Sequence, residues 1–328
     1  MSTSSKRNLY FDNAKLILIF LVVFGHVISP LKNHDDFLFT LYSVIFLFHM
    51  PAFILISGYF AKGYRKKGYF LKSVKKILLP YLIFQAIYSV FYYFNGEEPS
   101  LTFDFLQPHW TLWFLLSLFC WNVLLYGFAK LRWLGLIIAL IIGIGIGYIE
   151  DIGGYLSLSR TFVFFPYFLL GYLIEAKHIA WIKNLKHSTI FGILILMSTF
   201  LLFSVSFPKG AVPWLLGSSS YAEMGNVEWM DSIYRMIQYF LTLVVIIGFL
   251  AIVPSKGSKI TVIGQRTLYI YLFHGFFIKL IETFVSDDTL ESFSQNYLLL
   301  LIFSFALCLI LGSYLIKKYT RPLIELRL

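Results

Sequence analysis

The stretch 12–30 reads DNAKLILIFLVVFGHVISP, and it limits what this chain can fold into. Between Leu16 and Phe24 it is wholly aliphatic and aromatic, as a membrane span must be, yet Asp12 and Lys15 stand at one end and His26 near the other. An α-helix turns about 100° per residue, so the eleven steps from Lys15 to His26 make close to three turns. Both side chains then lie on one face, roughly 16 Å apart along the axis. Asp12 falls one turn before Lys15 and near the same face. Ionisable groups at membrane depth usually line a cavity or pathway. An ion pair between Asp12 and Lys15 is the structural alternative.

Apolar runs of similar length recur along the whole chain. They fall near 13–31, 37–60, 77–94, 110–129, 133–149, 160–176, 188–207, 232–253, 267–286 and 295–316. With 59% hydrophobic and 13% charged residues in 328, the composition is that of a polytopic membrane protein. The expectation is an all-α integral membrane protein of about ten transmembrane helices, built as one domain over 1–328. Loop charges orient it. One set of loops carries Lys6, Arg7, the run 62–76, Lys130, Arg132, Lys183, Lys256, Lys259 and the tail through Arg327. The alternate set carries Asp35, Asp36, Glu97, Glu98, Glu150, Asp151, Asp287 and Asp288, with Lys32 and Lys209 as its basic residues. The excess of lysine and arginine marks the cytoplasmic side, which places both termini there. The net charge of +10 is thus a signal of topology and not of nucleic-acid binding. Cys120 and Cys308 fall inside spans and imply no disulfide.

Other residues capable of chemistry are spread along these spans. HMPAFILISGYF in the second brings His49, a helix-bending Pro51, and Ser57 and Gly58, small enough for close backbone approach. The loop 62–76 holds seven basic residues and leads through Lys72, Lys75 and Lys76 into the third span; lysines so spaced suit phosphates as point charges. HWTLWFL begins the fourth span with His109, Trp110 and Trp113, and SRTFVFFPYFLLGY begins the sixth with Arg160. Arg235 and Lys279 lie within later spans, and the ninth carries Arg266 at its inner edge and His274 near its middle. His26, His49 and His274, on three spans, point to a shared polar interior. No histidine pair shows close metal-ligand spacing, so no metal is expected.

Taken together these blocks resemble the membrane-bound acyltransferase-3 family, in its branch near the fucose 4-O-acetylases. The family has a basic residue, ten intervening residues and a histidine in its first span, matched here by Lys15 and His26. The HMPAFILISGYF block, the basic residues before Pro80, and the HWTLWFL, FFPYFLLGY and TLYIYLFHG blocks are similar to later family blocks, so the resemblance covers nearly the full length. Lysines stand at 15 and before Pro80 where the family has arginines. The resemblance implies an O-acyltransferase of the bacterial cytoplasmic membrane, transferring groups other than amino-acyl groups. Its co-substrate is acyl-CoA, acetyl-CoA first of all, used from the cytoplasm, with no bound cofactor, and its acceptor is an envelope or extracytoplasmic carbohydrate. It assigns His26 as general base, with Lys15 and Asp12 organising the inner end of the cavity. Lys72, Lys75, Lys76 and Arg266 fall to the donor. His49, Ser57, Gly58, His109, Trp113, Arg160 and His274 are further cavity residues. Direct transfer and an acyl-histidine intermediate both remain open. The competing class is a transporter or flippase of polysaccharide or lipid-linked sugar, disfavoured because the two halves show no repeat.

Overall fold

The computed structural model describes residues 8–152, 154–225 and 227–326. Lys6, Arg7 and Arg327, and the side chains of Asp151, Asp287 and Asp288, lie outside what is described. The described residues are helical with no strand. The helices are α1 (Leu9–Ile28), α2 (Asp36–Phe60), α3 (Tyr69–Phe94), α4 (Trp113–Gly145), α5 (Leu158–Leu173), α6 (Ala176–Asn184) and α7 (Ser188–Ser206). They continue as α8 (Val212–Leu216), α9 (Met230–Ile252), α10 (Thr267–Phe284), α11 (Asp287–Ser294), α12 (Tyr297–Leu311) and α13 (Tyr314–Glu325).

Among the described residues seven helices are long and apolar enough to cross a membrane, or eight if α12 and α13, bent by 60°, form one broken span. The protein is a polytopic membrane protein. The count of ten read from the sequence takes the two arms of α4 separately and includes α10, which carries Lys279 and Glu282. The division of α4 is real. Arg132 leaves helical geometry with φ +52°, and Trp121 and Gly143 then both meet the same point on α5. The Trp121 indole donates to the Thr161 carbonyl at 2.7 Å, and a Cβ on Gly143 would lie 3.0 Å from the Phe162 carbonyl. In one straight helix those two residues would stand about 33 Å apart, so α4 folds back on itself at Arg132.

The loops sort by charge. Leu9 meets Gly257, Lys183 donates to Val253, Lys62 bonds the carbonyl of Ile174 at 2.5 Å, and Tyr126 bonds the carbonyl of Tyr64. The basic loops therefore gather at the α1 N-terminal end of the bundle. At the opposite end Asp36 pairs with Lys209, Asp35 with Tyr297, and Glu97 with Lys279.

α1 and α2 form the centre. Asn8 caps α1 through the Tyr10 amide, and Asp35 caps α2 through the Leu38 amide at 2.7 Å. Pro51 cannot donate to the carbonyl of Leu47, and the Thr242 hydroxyl of α9 bonds that carbonyl at 3.3 Å instead. In α3 Pro80 likewise cannot donate to Lys76, and the backbone widens there into a π-helical turn, Val74–Leu78, in which Leu79 donates to Val74. The wide turn breaks the common face that a regular helix would give Lys72, Lys75 and Lys76.

α2 and α5 touch backbone to backbone. A Cβ on Gly58 would lie 1.9 Å from the Phe168 carbonyl oxygen, and one on Gly171 equally close to that of Leu55. Gly58, read above as a cavity residue, holds two helices together. Gly171→Val should therefore cost at least the 1–3 kcal/mol typical of overpacking. A lower apparent Tm and a smaller monodisperse fraction on size-exclusion chromatography would register it.

Candidate active site

α1 is positioned by its own N-terminal polar residues. The Asn13 amide donates to the carbonyls of Pro254 and Lys256, each at 2.8 Å, and its oxygen accepts from Thr261 at 2.7 Å. Gly264 packs so closely that a Cβ would lie 1.9 Å from the Asp12 carbonyl. The Asp12 carboxylate pairs with Lys15 at 2.9 Å and accepts from Gln265 at 3.2 Å. Asp12 and Lys15 thus form the ion pair named above as the alternative, and neither stands on the wall of the cavity that the other end of α1 meets. Three turns along the helix His26 does.

The cavity at His26 encloses about 340 Å³. His49, Trp110, Trp113, Arg160, Lys32 and Tyr271 share its wall with His26, so five segments distant in sequence converge there. The His26 ring stands edge-on to Trp110, centroids 4.5 Å apart, and 5.4 Å from the His274 ring. The three histidines are not equivalent. His49 Nδ1 lies 2.7 Å from the Ile45 carbonyl and His274 Nδ1 lies 2.7 Å from the Tyr271 carbonyl. A carbonyl accepts, so both rings carry their proton on Nδ1 and are locked by their own helices. His274 Nε2 is buried with no hydrogen-bond partner. His26 has no hydrogen bond to another described residue, which leaves both ring nitrogens for a molecule in the cavity.

A second cavity, about 200 Å³, lies toward the basic end. Ile19, Ser57, Lys76, Phe114 and Thr267 line it, and it shares Val22, Met50 and Tyr271 with the first. Those three side chains are the partition between the two chambers. Lys72, Lys75 and Lys76 are all exposed, and of the three Lys76 also lines the inner chamber. Arg266 is occupied elsewhere, donating to the Gly312 carbonyl at 2.8 Å beside the bend between α12 and α13. His109 also sits apart, against Ser89 at 2.9 Å and 3.7 Å from Glu98; burial draws its pKa below the ordinary imidazole value, while Glu98 opposes the change.

Sequence reasoning did not single out Tyr271, Met50 or Lys32 as site residues. Tyr271 lies three residues before His274, hence on the same face of α10, which is the one signal that was available. Trp110 stands at the start of the fourth span. Its φ is +29°, unusual for so bulky a residue, and it is wedged between His26 and the Lys279 ammonium, 5.5 Å from its ring. Burial lowers the pKa of Lys32 from the ordinary lysine value, with Glu282 acting in the opposite direction. Among the described residues no group of three or more histidine, cysteine or acidic side chains is placed to hold a metal ion.

The chain matches the acyltransferase-3 family, described as an acyltransferase domain, over residues 8–316, and it belongs to that family. It is similar to nodulation protein NolL of Sinorhizobium fredii, 32% identical over 147 residues that make up 40% of each chain. Its similarity to nodulation protein NolL of Mesorhizobium japonicum is 28% over 218 residues, 61% of this chain and 57% of the relative. The chain is thus matched over about half the length of these curated relatives. No solved structure matches it.

Two chambers lined toward opposite ends of the bundle, one by Ser29 and Lys32 and the other by Ser57 and Lys76, carry a direct test. In a variant with Cys120 and Cys308 replaced by Ala, Ser57→Cys should react with a membrane-impermeant maleimide in inverted vesicles only. Ser29→Cys, lining the His26 chamber, should react in right-side-out vesicles only. Labelling of both from one side would show that the chambers share a mouth.

Proposed function

We propose that the protein is a membrane O-acyltransferase that moves an acyl group, acetyl first of all, from cytoplasmic acyl-CoA to a hydroxyl of an extracytoplasmic carbohydrate. The observation that carries this reading is the pair of adjoining chambers. His26 lines one, Lys76 lines the other, and only Val22, Met50 and Tyr271 stand between. Family membership supports acyl transfer; the chamber geometry supports the assignment of donor, acceptor and His26.

The basic end is the cytoplasmic end by the distribution of lysine and arginine. An acyl-CoA there presents its phosphates to the exposed lysines of 62–76, and its thin pantetheine arm enters beside Lys76. The thioester then reaches the partition from the inner side while the acceptor hydroxyl occupies the outer chamber. A sugar hydroxyl is a weak nucleophile at neutral pH. A ring nitrogen of His26 removes its proton as the oxygen attacks the thioester carbonyl. The tetrahedral oxyanion collapses, the carbon–sulfur bond breaks, and the leaving thiolate takes the proton from the imidazolium, giving the ester and free CoA. His49 and His274 hold their Nδ1 protons on backbone carbonyls, so their part is to shape the chamber around His26.

His26→Ala should reduce transfer from labelled acetyl-CoA by the 10²–10⁴-fold typical of a lost general base, per molecule of monodisperse protein and with Tm near wild type. Near-normal turnover per folded molecule would remove His26 from the mechanism. His274→Ala should be milder.

The geometry also separates the lysines. Lys76→Gln should raise the KM for acetyl-CoA more than Lys72→Gln or Lys75→Gln, because Lys76 alone of the three lines a chamber. Equal effects from all three would make the run a diffuse electrostatic attractor with no defined contact.

A further inference from the structure

The outer chamber carries cations without counter-charges. Lys32 and Arg160 both line it, and among the described residues no aspartate or glutamate does. Arg160 spends one hydrogen bond, from Nε to the Leu216 carbonyl at 3.3 Å, and its guanidinium lies over the Trp113 ring at 5.1 Å. Its two terminal nitrogens have no hydrogen-bond partner among the described residues. Lys32 donates to the Ser29 carbonyl at 2.8 Å and lies over Tyr42 at 5.2 Å. The carboxylate whose field reaches Lys32 is that of Glu282, itself bound to Lys279 at 2.9 Å. Elsewhere in the bundle Lys15 is matched by Asp12 and Lys279 by Glu97 and Glu282, whereas Arg235, which is on the wall of neither chamber, is held by the Trp214 carbonyl and Gln238 with no ion pair among the described residues.

A half-buried guanidinium and a half-buried ammonium facing one cavity repel each other and lose hydration, and no carboxylate in the wall neutralises them. A neutral sugar offers hydroxyl dipoles only. A group with two or three anionic oxygens offers the bidentate partner that a guanidinium fork fits, plus a point-charge contact for the ammonium. We infer that the acceptor is an anionic carbohydrate, carrying a carboxylate or a phosphate on or next to the sugar whose hydroxyl is acylated, and that Arg160 and Lys32 bind that group. This rests on the acyltransferase reading above and names the substrate class of the same chamber. The ring of Trp113, already under the guanidinium, forms the adjoining apolar wall for the sugar face.

The test uses the purified full-length protein in nanodiscs, labelled acetyl-CoA, and glycan extracted from source cells lacking the gene. The glycan is supplied in three forms: intact, carboxyl-reduced with carbodiimide and borohydride, and dephosphorylated with hydrofluoric acid. Loss of transfer on carboxyl reduction alone identifies a uronate-type acceptor, and loss on dephosphorylation alone a phosphorylated one. Arg160→Gln and Lys32→Gln should each raise the KM for intact glycan about tenfold, as loss of a charge-assisted contact does, and Arg160→Lys should recover part of it. On the neutralised glycan the variants and wild type should converge. Equal transfer to intact and fully neutralised glycan overturns the inference. So does an Arg160→Gln defect confined to kcat and identical on all three forms, which would assign Arg160 to the reacting carbonyl oxygen. No transfer to any glycan by wild type removes the acyltransferase reading itself and the inference with it.

Discussion

The anchoring of α1 is the constraint on which the rest depends. A helix in a bilayer cannot leave a polar group unsatisfied at low cost, and Asn13 is satisfied by the carbonyls of Pro254 and Lys256 and the hydroxyl of Thr261. The close approach of Gly264 and the Asp12–Lys15–Gln265 cluster fix the helix in rotation as well as in depth. Once α1 is held at that end, a regular helix delivers His26 three turns higher, with no further freedom. Lys15 is paired with Asp12 at the anchored end of the helix, while Val22, His26 and Ser29 meet the chamber.

The walls follow a second rule. Lipid offers helices no hydrophobic reason to associate, so they meet through small residues and shared hydrogen bonds. Gly58 and Gly171 bring α2 and α5 to backbone contact, and the prolines of α2 and α3 leave carbonyls or wide turns that neighbours answer. Bends so produced keep helices from packing tightly along their whole length. The chambers lie beside them: Met50 precedes Pro51 on the partition, and Lys76 occupies the wide turn forced by Pro80.

The division of labour among the histidines has the same origin. His49 and His274 point back along their helices to carbonyls three or four residues earlier, the common resting place of a buried imidazole. His26 finds no such partner and instead faces Trp110, held at a positive φ. A pre-formed indole wall and an uncommitted imidazole thus meet at one point of the chamber, while Lys32 and Arg160 give its outer part a defined charge.

Much of this was legible in the chain alone. Spans, the segregation of charge between alternate loops, and the shared face of Lys15 and His26 are local facts, set by the 1.5 Å rise and 100° turn of a helix and by the alternation of loops. The faces that meet were not legible. In a soluble helix the apolar stripe marks the inward side, but here lipid-facing and core-facing residues are equally apolar, so sequence carries little sign of direction. The tertiary structure alone decided that Gly58 joins helices, that Arg266 serves the α12–α13 bend, and that Lys76 parts company with Lys72 and Lys75. It also brought Lys32, Arg160 and Tyr271, from three distant segments, to the wall around His26. Such convergence depends on how helices cross, and helix crossings are set by contacts between residues far apart in the chain.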